Sequence, residues 1–467
     1  MLSRLMFIWF MLLSLQTHAQ DSVWYLSQSE LVSIVKQYHP VVKQAALMVE
    51  QSDAKVTAAR GAFDPIVSTN FDRKTFGGNL YYSYLNPELK IPTWYGVDLK
   101  VGTEEVIGNR VTTETTLGQT SYAGVNVSVL NGLLFDERRT VLRQAQSVAE
   151  MTDAERRLVV NNTLFESIAT YFNWVKEYNT YKIYQDVVRV NKERLKMVKL
   201  EYEQGNRPAI DTVEAKTQLQ TYQLLESEAW VSFQNAGLEL ANYMWLENST
   251  PTRWSDRVVP HSDVLEGSFS VSNIPSLEVL LTDALSRHPK LDAMRFKIDV
   301  LETERRLQFQ SFLPKLDVGA NVLNKGYDVP NDLTMPFLEN NYKLGVDFYM
   351  PLLYRKARGG YKAAKLKVQE TELSRDYTAL QIENKVKSYY NEVLALQQQI
   401  ELYQSAYDNF STMYRGEMIR YEVGESNLFL INSRETKLLA AQQKLLELKV
   451  KWHKSYAGLL WAAGTLN

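Results

Sequence analysis

Cysteine is absent from the sequence, and histidine is scarce. Without cysteine the chain forms no disulfide bond and offers no thiol nucleophile, iron–sulfur cluster, Cys-ligated zinc site or lipid-modified N-terminal Cys. The five histidines lie at positions 18, 39, 261, 288 and 453, and no two of them have the spacing of metal ligands. The sequence therefore predicts neither a cofactor nor a metal site.

No charge of one sign predominates. The chain has 52 Lys and Arg against 54 Asp and Glu, so its formal net charge is −2. This balance argues against nucleic acid as a partner. No phosphate-binding loop, dinucleotide-binding motif or Gly-x-Ser-x-Gly motif occurs either. We therefore expect a protein that is not an enzyme and has no catalytic residues.

Long hydrophobic runs are missing beyond residue 20, since none reaches the roughly 18 residues of a spanning helix. The start of the chain differs. Arg4 precedes a short apolar stretch over residues 5–15, and the small residues Thr17 and Ala19 occupy the −3 and −1 positions of a cleavage site after Ala19. This pattern is typical of a secretory signal peptide over residues 1–19. The alternative is an N-terminal membrane anchor.

The remaining sequence contains an internal repeat of two copies. His39-Pro40 and His288-Pro289 are separated by the same offset as Pro65 and Pro314. Further on, one shorter offset relates a second set of pairs: Leu134 with Leu353, Tyr171 with Tyr390, Tyr184 with Tyr403, Tyr202 with Tyr421, and Gly205 with Gly424. The order of motifs thus repeats, with roughly 30 additional residues in the first copy.

Each copy predicts very long helices. Residues 133–204 contain no Gly or Pro, and residues 361–423 contain only Gly416. A continuous helix over the first stretch would be roughly 100 Å long. Its apolar residues recur at steps of three and four, as in a helix that packs along others. Gly205 and Gly424 would turn the chain back, so we expect two αα-hairpins.

Between the helical parts, apolar and polar residues alternate as in β-strands. The clearest segments are Val67–Asp72, Tyr95–Val101, Tyr122–Leu130, Leu316–Asn324 and Tyr342–Met350. Such alternation fits strands of a membrane barrel, but it also fits a sheet with one face on a soluble core. The additional residues in the first copy could form a hairpin, and a loop or partial strand is the favoured interpretation.

This duplicated arrangement of helices, strands and long helical hairpins resembles the TolC-type outer membrane efflux protein family. The resemblance implies a mainly α-helical protomer with about four β-strands. Three protomers would build a homotrimer with a shared 12-stranded β-barrel and a periplasmic α-helical barrel. It also implies a location in the outer membrane of a Gram-negative bacterium, extending into the periplasm. Four strands cannot close a conducting barrel alone, which agrees with several copies.

The predicted organisation has eight segments. They are the signal peptide (1–19), N-terminal helices of the first copy (20–63), its barrel strands with the additional residues (64–131), its long hairpin (132–248), a linker or equatorial segment (249–275), helices of the second copy (276–312), its barrel strands (313–352), and its long hairpin with the C-terminal end (353–467).

Family motifs mark the two hairpin turns. A Tyr-x-x-Gly pattern occurs at Tyr202 and again at Tyr421, and Asp211 follows Gly205 by six residues. By resemblance, Gly205, Asn206, Arg207, Gly424, Glu425 and Ser426 contact a periplasmic adaptor (membrane fusion) protein, and Tyr421 and Asp211 hold a closed entrance.

The second turn departs from the family pattern. Leu430 stands where Asp is expected, and Ser426 stands where an Arg often assists the closed entrance. Asp211 and Glu214 share a helix face, so threefold symmetry would make a ring of carboxylates that favours cations. Alternatively, Asp211 caps the returning helix and Glu214 is a solvated charge.

We therefore expect a trimeric outer-membrane channel, the passive exit duct of a tripartite efflux pump or type I secretion system. Its partners would be two further copies, outer-membrane lipid, the adaptor and an inner-membrane transporter. Selection of the cargo, whether a drug, metal ion, metabolite or protein, would reside in that transporter. The alternative is an exported structural coiled-coil protein without a conducting pore.

Overall fold

The computed structural model describes residues 23–109, 116–133, 135–266, 269, 274–327 and 341–466. The predicted signal peptide lies outside these residues. The described strands are β1 (Trp24–Leu26), β2 (Ile66–Phe76), β3 (Asn79–Pro92), β4 (Val97–Ile107), β5 (Gly118–Ser128), β6 (Val258–Pro260), β7 (Lys315–Lys325) and β8 (Tyr342–Tyr349). The described helices are α1 (Gln28–Tyr38), α2 (Pro40–Arg60), α3 (Glu137–Glu203), α4 (Ala209–Ala241), α5 (Leu277–Arg287), α6 (Pro289–Gln310), α7 (Arg355–Glu422) and α8 (Leu428–Ala463).

A His-Pro pair separates two helices at the start of each copy. His39 ends α1 with φ −65° and ψ 130°, and His288 ends α5 with φ −64° and ψ 125°. The ring of the following proline disfavours helical backbone at the residue before it. Proline itself suits the first position of the next helix. Both pairs are therefore helix breaks, as the duplication indicated.

The long helices are continuous. The first, α3, has 67 residues, and its counterpart α7 has 68. Each is roughly 100 Å long at 1.5 Å per residue. The returning helices α4 and α8 have 33 and 36 residues. The two αα-hairpins predicted from the scarcity of Gly and Pro are confirmed. None of the helices in the described part of the chain is long and apolar enough to cross a membrane.

The main sheet has six antiparallel strands in the order β2-β3-β4-β5-β7-β8. Four come from the first copy and two from the second. The expectation of about four strands is corrected to six, because the additional residues of the first copy form strands. Pro87 and Pro92 within β3 weakened the strand pattern there, yet Pro87 lies in register opposite Thr69 of β2.

The register gives the sheet one apolar and one polar face. Val97, Val127, Val318 and Val346 lie opposite one another across four strands. The next row holds Asp98, Asn126, Gly319 and Gly345. The alternation predicted from the sequence is therefore present in the paired strands.

The chain divides into two compact units, which comprise residues 1–45, 158–288 and 381–467, and residues 46–157 and 289–380. Within the first unit, fully buried Leu31, Tyr171 and Trp174 lie in one apolar core. The linker joins this core, because β6 pairs in parallel with β1 and Trp254 packs over Gly237 of α4. The second unit holds the six-stranded sheet.

Candidate functional site: the two hairpin turns

The two turns have the same backbone geometry. Gly205 and Gly424 adopt φ of 76° and 80°, a left-handed conformation that suits glycine. The amides of each turn donate to carbonyl oxygens in the last turn of the preceding helix: Gly205 to Tyr202 at 2.9 Å, Asn206 to Glu201 at 2.8 Å, Gly424 to Tyr421 at 3.1 Å and Glu425 to Arg420 at 2.8 Å. These bonds are those of a Schellman helix ending. The sequence repeat is therefore also a repeat of hydrogen bonds.

Arg207 links the first turn to the second hairpin. Its Nε pairs with the Glu201 carboxylate, and its Nη1 donates to Asp211 Oδ2 at 3.4 Å. The guanidinium lies over the Tyr421 ring, 4.1 Å from the centroid. Burial alone would lower the pKa of Arg207, but the hydrogen bond to Glu201 and the neighbouring negative groups outweigh it and raise that pKa. Arg207 is thus a charged clamp between the hairpins.

Asp211 is not the cap of the returning helix. The N-cap of α4 is Pro208, which provides no side-chain hydrogen bond, and Asp211 lies in the first helical turn. The cap interpretation is therefore wrong. Asp211 instead accepts a hydrogen bond from Arg207, and its negative charge is favourable at a helix N-terminus.

Glu214 is also more than a solvated charge. Its Oε1 accepts a hydrogen bond from Asn432 Nδ2 of α8 at 2.9 Å. Glu214 thus has a partner on the second hairpin, whereas the partner of Asp211, Arg207, belongs to the first turn.

An ion pair lies deeper between the hairpins. Arg194 Nη2 and Nη1 lie 2.8 and 3.0 Å from the two oxygens of Glu435, and the side chains are only 7% and 6% exposed. Tyr414 accepts from Arg194 at 2.8 Å, and Asn191 donates to Glu435 at 3.2 Å. Burial and, next to it, the charge of Glu435 raise the pKa of Tyr414 to about 12, against the lowering effect of Arg194. Sequence periodicity did not single out this network, since isolated charges in a helical seam resemble solvated ones.

Tyr421 lies in the apolar core just above the turns. It is 9% exposed and packs with Val198, Ala215, Leu428 and Ile431. Burial raises the pKa of its hydroxyl, and Arg207 partly opposes that shift. The hydroxyl has no hydrogen-bond partner among the residues that the structure describes. The ring is therefore held by packing and by Arg207.

The second turn uses Ser426 differently from an arginine. Ser426 Oγ donates to Glu417 Oε1 at 2.6 Å. This hydrogen bond lowers the pKa of Glu417, as do the nearby guanidinium groups. Arg434 Nε lies 3.6 Å from the same carboxylate. Ser426, at the position that often carries Arg in the family, therefore binds a glutamate of the helix that precedes its own turn. The arginine that lies over Tyr421 is Arg207 of the first turn.

The outermost residues of both turns are exposed. They include Gly205, Asn206, Gly424 and Glu425. Large apolar side chains beside them are also exposed: Ile210 at 67%, Val423 at 66% and Phe429 at 69%. Such a mixed apolar and polar surface is typical of a protein-binding site. Within the described residues, no group of three or more His, Asp or Glu side chains is arranged to hold a metal ion.

Comparisons with known proteins bear on this geometry. Residues 280–465 match the family model described as outer membrane efflux protein. None of the curated proteins matches the chain. Among solved structures, the chain is similar to the CmeC outer membrane channel of Campylobacter jejuni, with 14% identity, TM-score 0.64, and coverage of 94% of this chain and 85% of that one.

Two further channels have a similar fold. VceC of Vibrio cholerae has 14% identity and TM-score 0.65, with 94% of this chain and 96% of that chain covered. The open state of MtrE of Neisseria gonorrhoeae has 15% identity and TM-score 0.60, with 97% and 94% covered. The predicted resemblance and the predicted mainly α-helical fold with a few strands are therefore confirmed. At these identities, the similar structures establish the fold.

Proposed function

We propose that this chain, whose residues 280–465 match the outer membrane efflux protein family, is the outer-membrane exit duct of a tripartite efflux pump or type I secretion system. The family match carries the proposal. The channel lies in the outer membrane and extends into the periplasm. The matched family is one of channels, not of enzymes. The alternative of a structural coiled-coil protein finds no support in these comparisons.

The chain acts as a homotrimer in this proposal. One copy presents an open sheet with an apolar face, which a membrane tolerates only when its edges are paired. The long hairpins likewise need neighbours for their exposed apolar side chains, such as Leu373 and Leu402. Three copies would enclose a water-filled path. Transport through it is passive, and the inner-membrane transporter supplies the energy and selects the cargo.

Arg207, Tyr421 and Asp211 form the closing device at the periplasmic entrance. Arg207 binds Asp211 and covers Tyr421, so it holds the first turn against the second hairpin. Separation of the hairpins would break the contact between Arg207 and Tyr421. In the trimer, Asp211 and Glu214 would form rings of carboxylates, which favour cations. The adaptor would bind the exposed turn residues and shift the equilibrium toward the open state.

Conductance in planar lipid bilayers tests this function. The purified protein is expected to be a trimer by native mass spectrometry and to conduct weakly. Arg207→Ala should raise the conductance, because Tyr421 and Asp211 lose their common partner. Arg189→Ala is the matched control, since its ion pair with Asp186 on the same helix is 70% and 72% exposed. A monomeric protein without conductance would refute the channel, and equal conductance of both variants would refute the clamp.

A further inference from the structure

The six-stranded sheet has two open edges. The outer strands β2 and β8 each have one neighbour in the order of the described strands. Every residue of both strands is exposed. Unpaired backbone groups cost several kcal/mol each in hydrocarbon, so a membrane sheet must close its edges. The occupant of one edge must therefore supply another strand.

A row of mainly apolar side chains runs from one edge of the sheet to the other. One row across the sheet consists of Val67, Leu89, Val101, Ala123, Val322 and Tyr342, each opposite the next. Val67 belongs to a strand that the alternation predicted, whereas Leu89 belongs to β3, which the alternation did not single out. All six strands therefore contribute to one lipid-facing surface.

The opposite face is polar from β3 to β8. A second row consists of Lys90, Lys100, Gly124, Asn321 and Lys343. Lys90 pairs with Asp98 at 2.9 Å, and Tyr122 donates to Glu88 at 2.8 Å. Polar contacts thus join β3 to β4 and, across β4, to β5 on this face. The hairpin formed by β2 and β3 is a continuous part of the sheet and not a separate flap.

The stagger of the strands is compatible with a closed barrel. Val67 is the second residue of β2, which starts beside α2, whereas Tyr342 is the first residue of β8, which ends beside α7. Over the five spacings between neighbouring strands from β2 to β8, the row shifts by about six residues, which is roughly 20 Å along the strands for about 24 Å across them. This corresponds to a tilt of about 40°, within the range of membrane barrels.

The directions of the two edge strands allow them to pair between neighbouring copies. β2 follows a helix and β8 precedes one. An even number of antiparallel strands therefore brings β8 of one copy beside β2 of the next in antiparallel orientation. Every pair inside the sheet is antiparallel as well. A second copy of this chain is thus the partner that both edges fit.

We propose that β8 of each copy pairs with β2 of the next, so that the trimer closes an 18-stranded barrel. This inference rests on the trimer of the proposed function. Barrel diameter grows roughly in proportion to strand number, so the exit is about 1.5 times as wide as that of a 12-stranded barrel. The additional hairpin of the first copy is therefore a device that widens the exit for bulkier cargo.

Cross-linking tests the edge pairing, and the absence of native cysteine gives a clean background. Val346→Cys is combined in turn with Val67→Cys, Thr69→Cys and Phe71→Cys, all on the apolar face, and treated with a short bifunctional thiol reagent in native outer membranes. At least one pair is expected to yield covalent dimers and trimers. The matched control combines Val346→Cys with Val101→Cys of β4, which should stay monomeric because β4 already has two neighbours.

The outcomes separate this inference from the proposed function. A trimer in native mass spectrometry without any cross-link between β8 and β2 would overturn the 18-stranded barrel and leave the channel intact. Cross-links between β8 and β4 would also overturn it, since they indicate a 12-stranded barrel. Loss of the trimer in the unsubstituted protein would refute the channel itself. An electron cryo-microscopy map of the unsubstituted trimer tests the proposal without any variant. A barrel of eighteen strands would agree with the proposal, and a barrel of twelve strands would overturn it.

Discussion

At the scale of single residues, the junction of the two hairpins depends on charges that are buried and paired. Arg194 and Glu435 form a two-point ion pair with almost no exposure. Such a pair adds little net stability over apolar side chains, but removal of one partner leaves an uncompensated charge. Its effect on stability therefore appears most clearly when the two residues are changed separately and together.

Arg194→Leu is expected to destabilise the hairpin junction by about 3–5 kcal/mol, because Glu435 remains buried without its partner. The double variant Arg194→Leu/Glu435→Leu should recover most of that loss. Thermal unfolding of the detergent-solubilised protein, followed by circular dichroism, measures both effects. Equal destabilisation in the single and double variants would contradict this account.

His453 predicts a dependence on pH. Burial lowers the pKa of its imidazole from 6.5 to about 4, and its ring stacks on Phe172 at 4.5 Å between centroids. Between these two values the unfolded chain binds more protons than the folded one. The contribution of His453 to stability is therefore complete above pH 6.5 and declines as the pH falls toward 4.

His453→Phe should weaken this dependence. The difference in unfolding temperature between pH 7.5 and pH 5 is expected to be smaller in the variant, because phenylalanine cannot bind a proton. The carboxylates that also titrate at low pH are common to both proteins and cancel in the comparison. An unchanged difference would show that His453 is not a source of the acid sensitivity.

At the scale of elements, the sheet is defined by its two faces. Val125 lies on the apolar face opposite Ala320, and Asn126 lies on the polar face opposite Gly319. The two residues are adjacent in β5 and therefore at nearly the same depth. A comparison of substitutions at these two residues therefore distinguishes an effect of lipid contact from a general effect on the strand.

Val125→Lys should block assembly into the outer membrane, since a lysine on the lipid face near the bilayer centre costs about 2–4 kcal/mol. Asn126→Lys, on the polar face, should assemble normally. The amount of trimer in isolated outer membranes is the measurement. If both variants assemble equally well, the apolar face does not contact lipid and the soluble-sheet alternative regains support.

At the scale of the whole molecule, the two copies of the repeat differ in their number of strands and in the side chains of their turns. The first copy has two more strands and supplies Arg207, whereas the second copy supplies Tyr421, on which Arg207 lies. The duplicated turns are alike in backbone but not in side-chain role. Both turns are expected to meet the adaptor, because both expose polar tips beside apolar side chains.

Photo-cross-linking tests that contact. A photoreactive residue at Asn206 or Glu425 should yield an adduct with the periplasmic adaptor in cells. Glu401, which is exposed within α7, is the control position and should yield none or much less. Adducts of equal strength at all three positions would show that contact is not confined to the turns.

The sequence by itself determined the elements that depend on local chemistry. Proline at 40 and 289 and glycine at 205 and 424 fix the helix breaks and turns. Proline disfavours helical backbone at the residue before it, and glycine adopts the left-handed conformation of the turns without steric cost. The near absence of Gly and Pro determined the long helices. Strict alternation determined which faces of the strands are apolar.

The tertiary structure alone decided what depends on neighbours distant in the chain. The number of strands followed from pairing across the whole sheet, in which β3 is held by β2 and β4 despite its prolines. The hydrogen bond of Glu214 with Asn432 and the pairing of Arg194 with Glu435 followed from how separate helices meet. A charge that is buried and one that is solvated look the same in a sequence, because desolvation is a property of the surroundings and not of the residue.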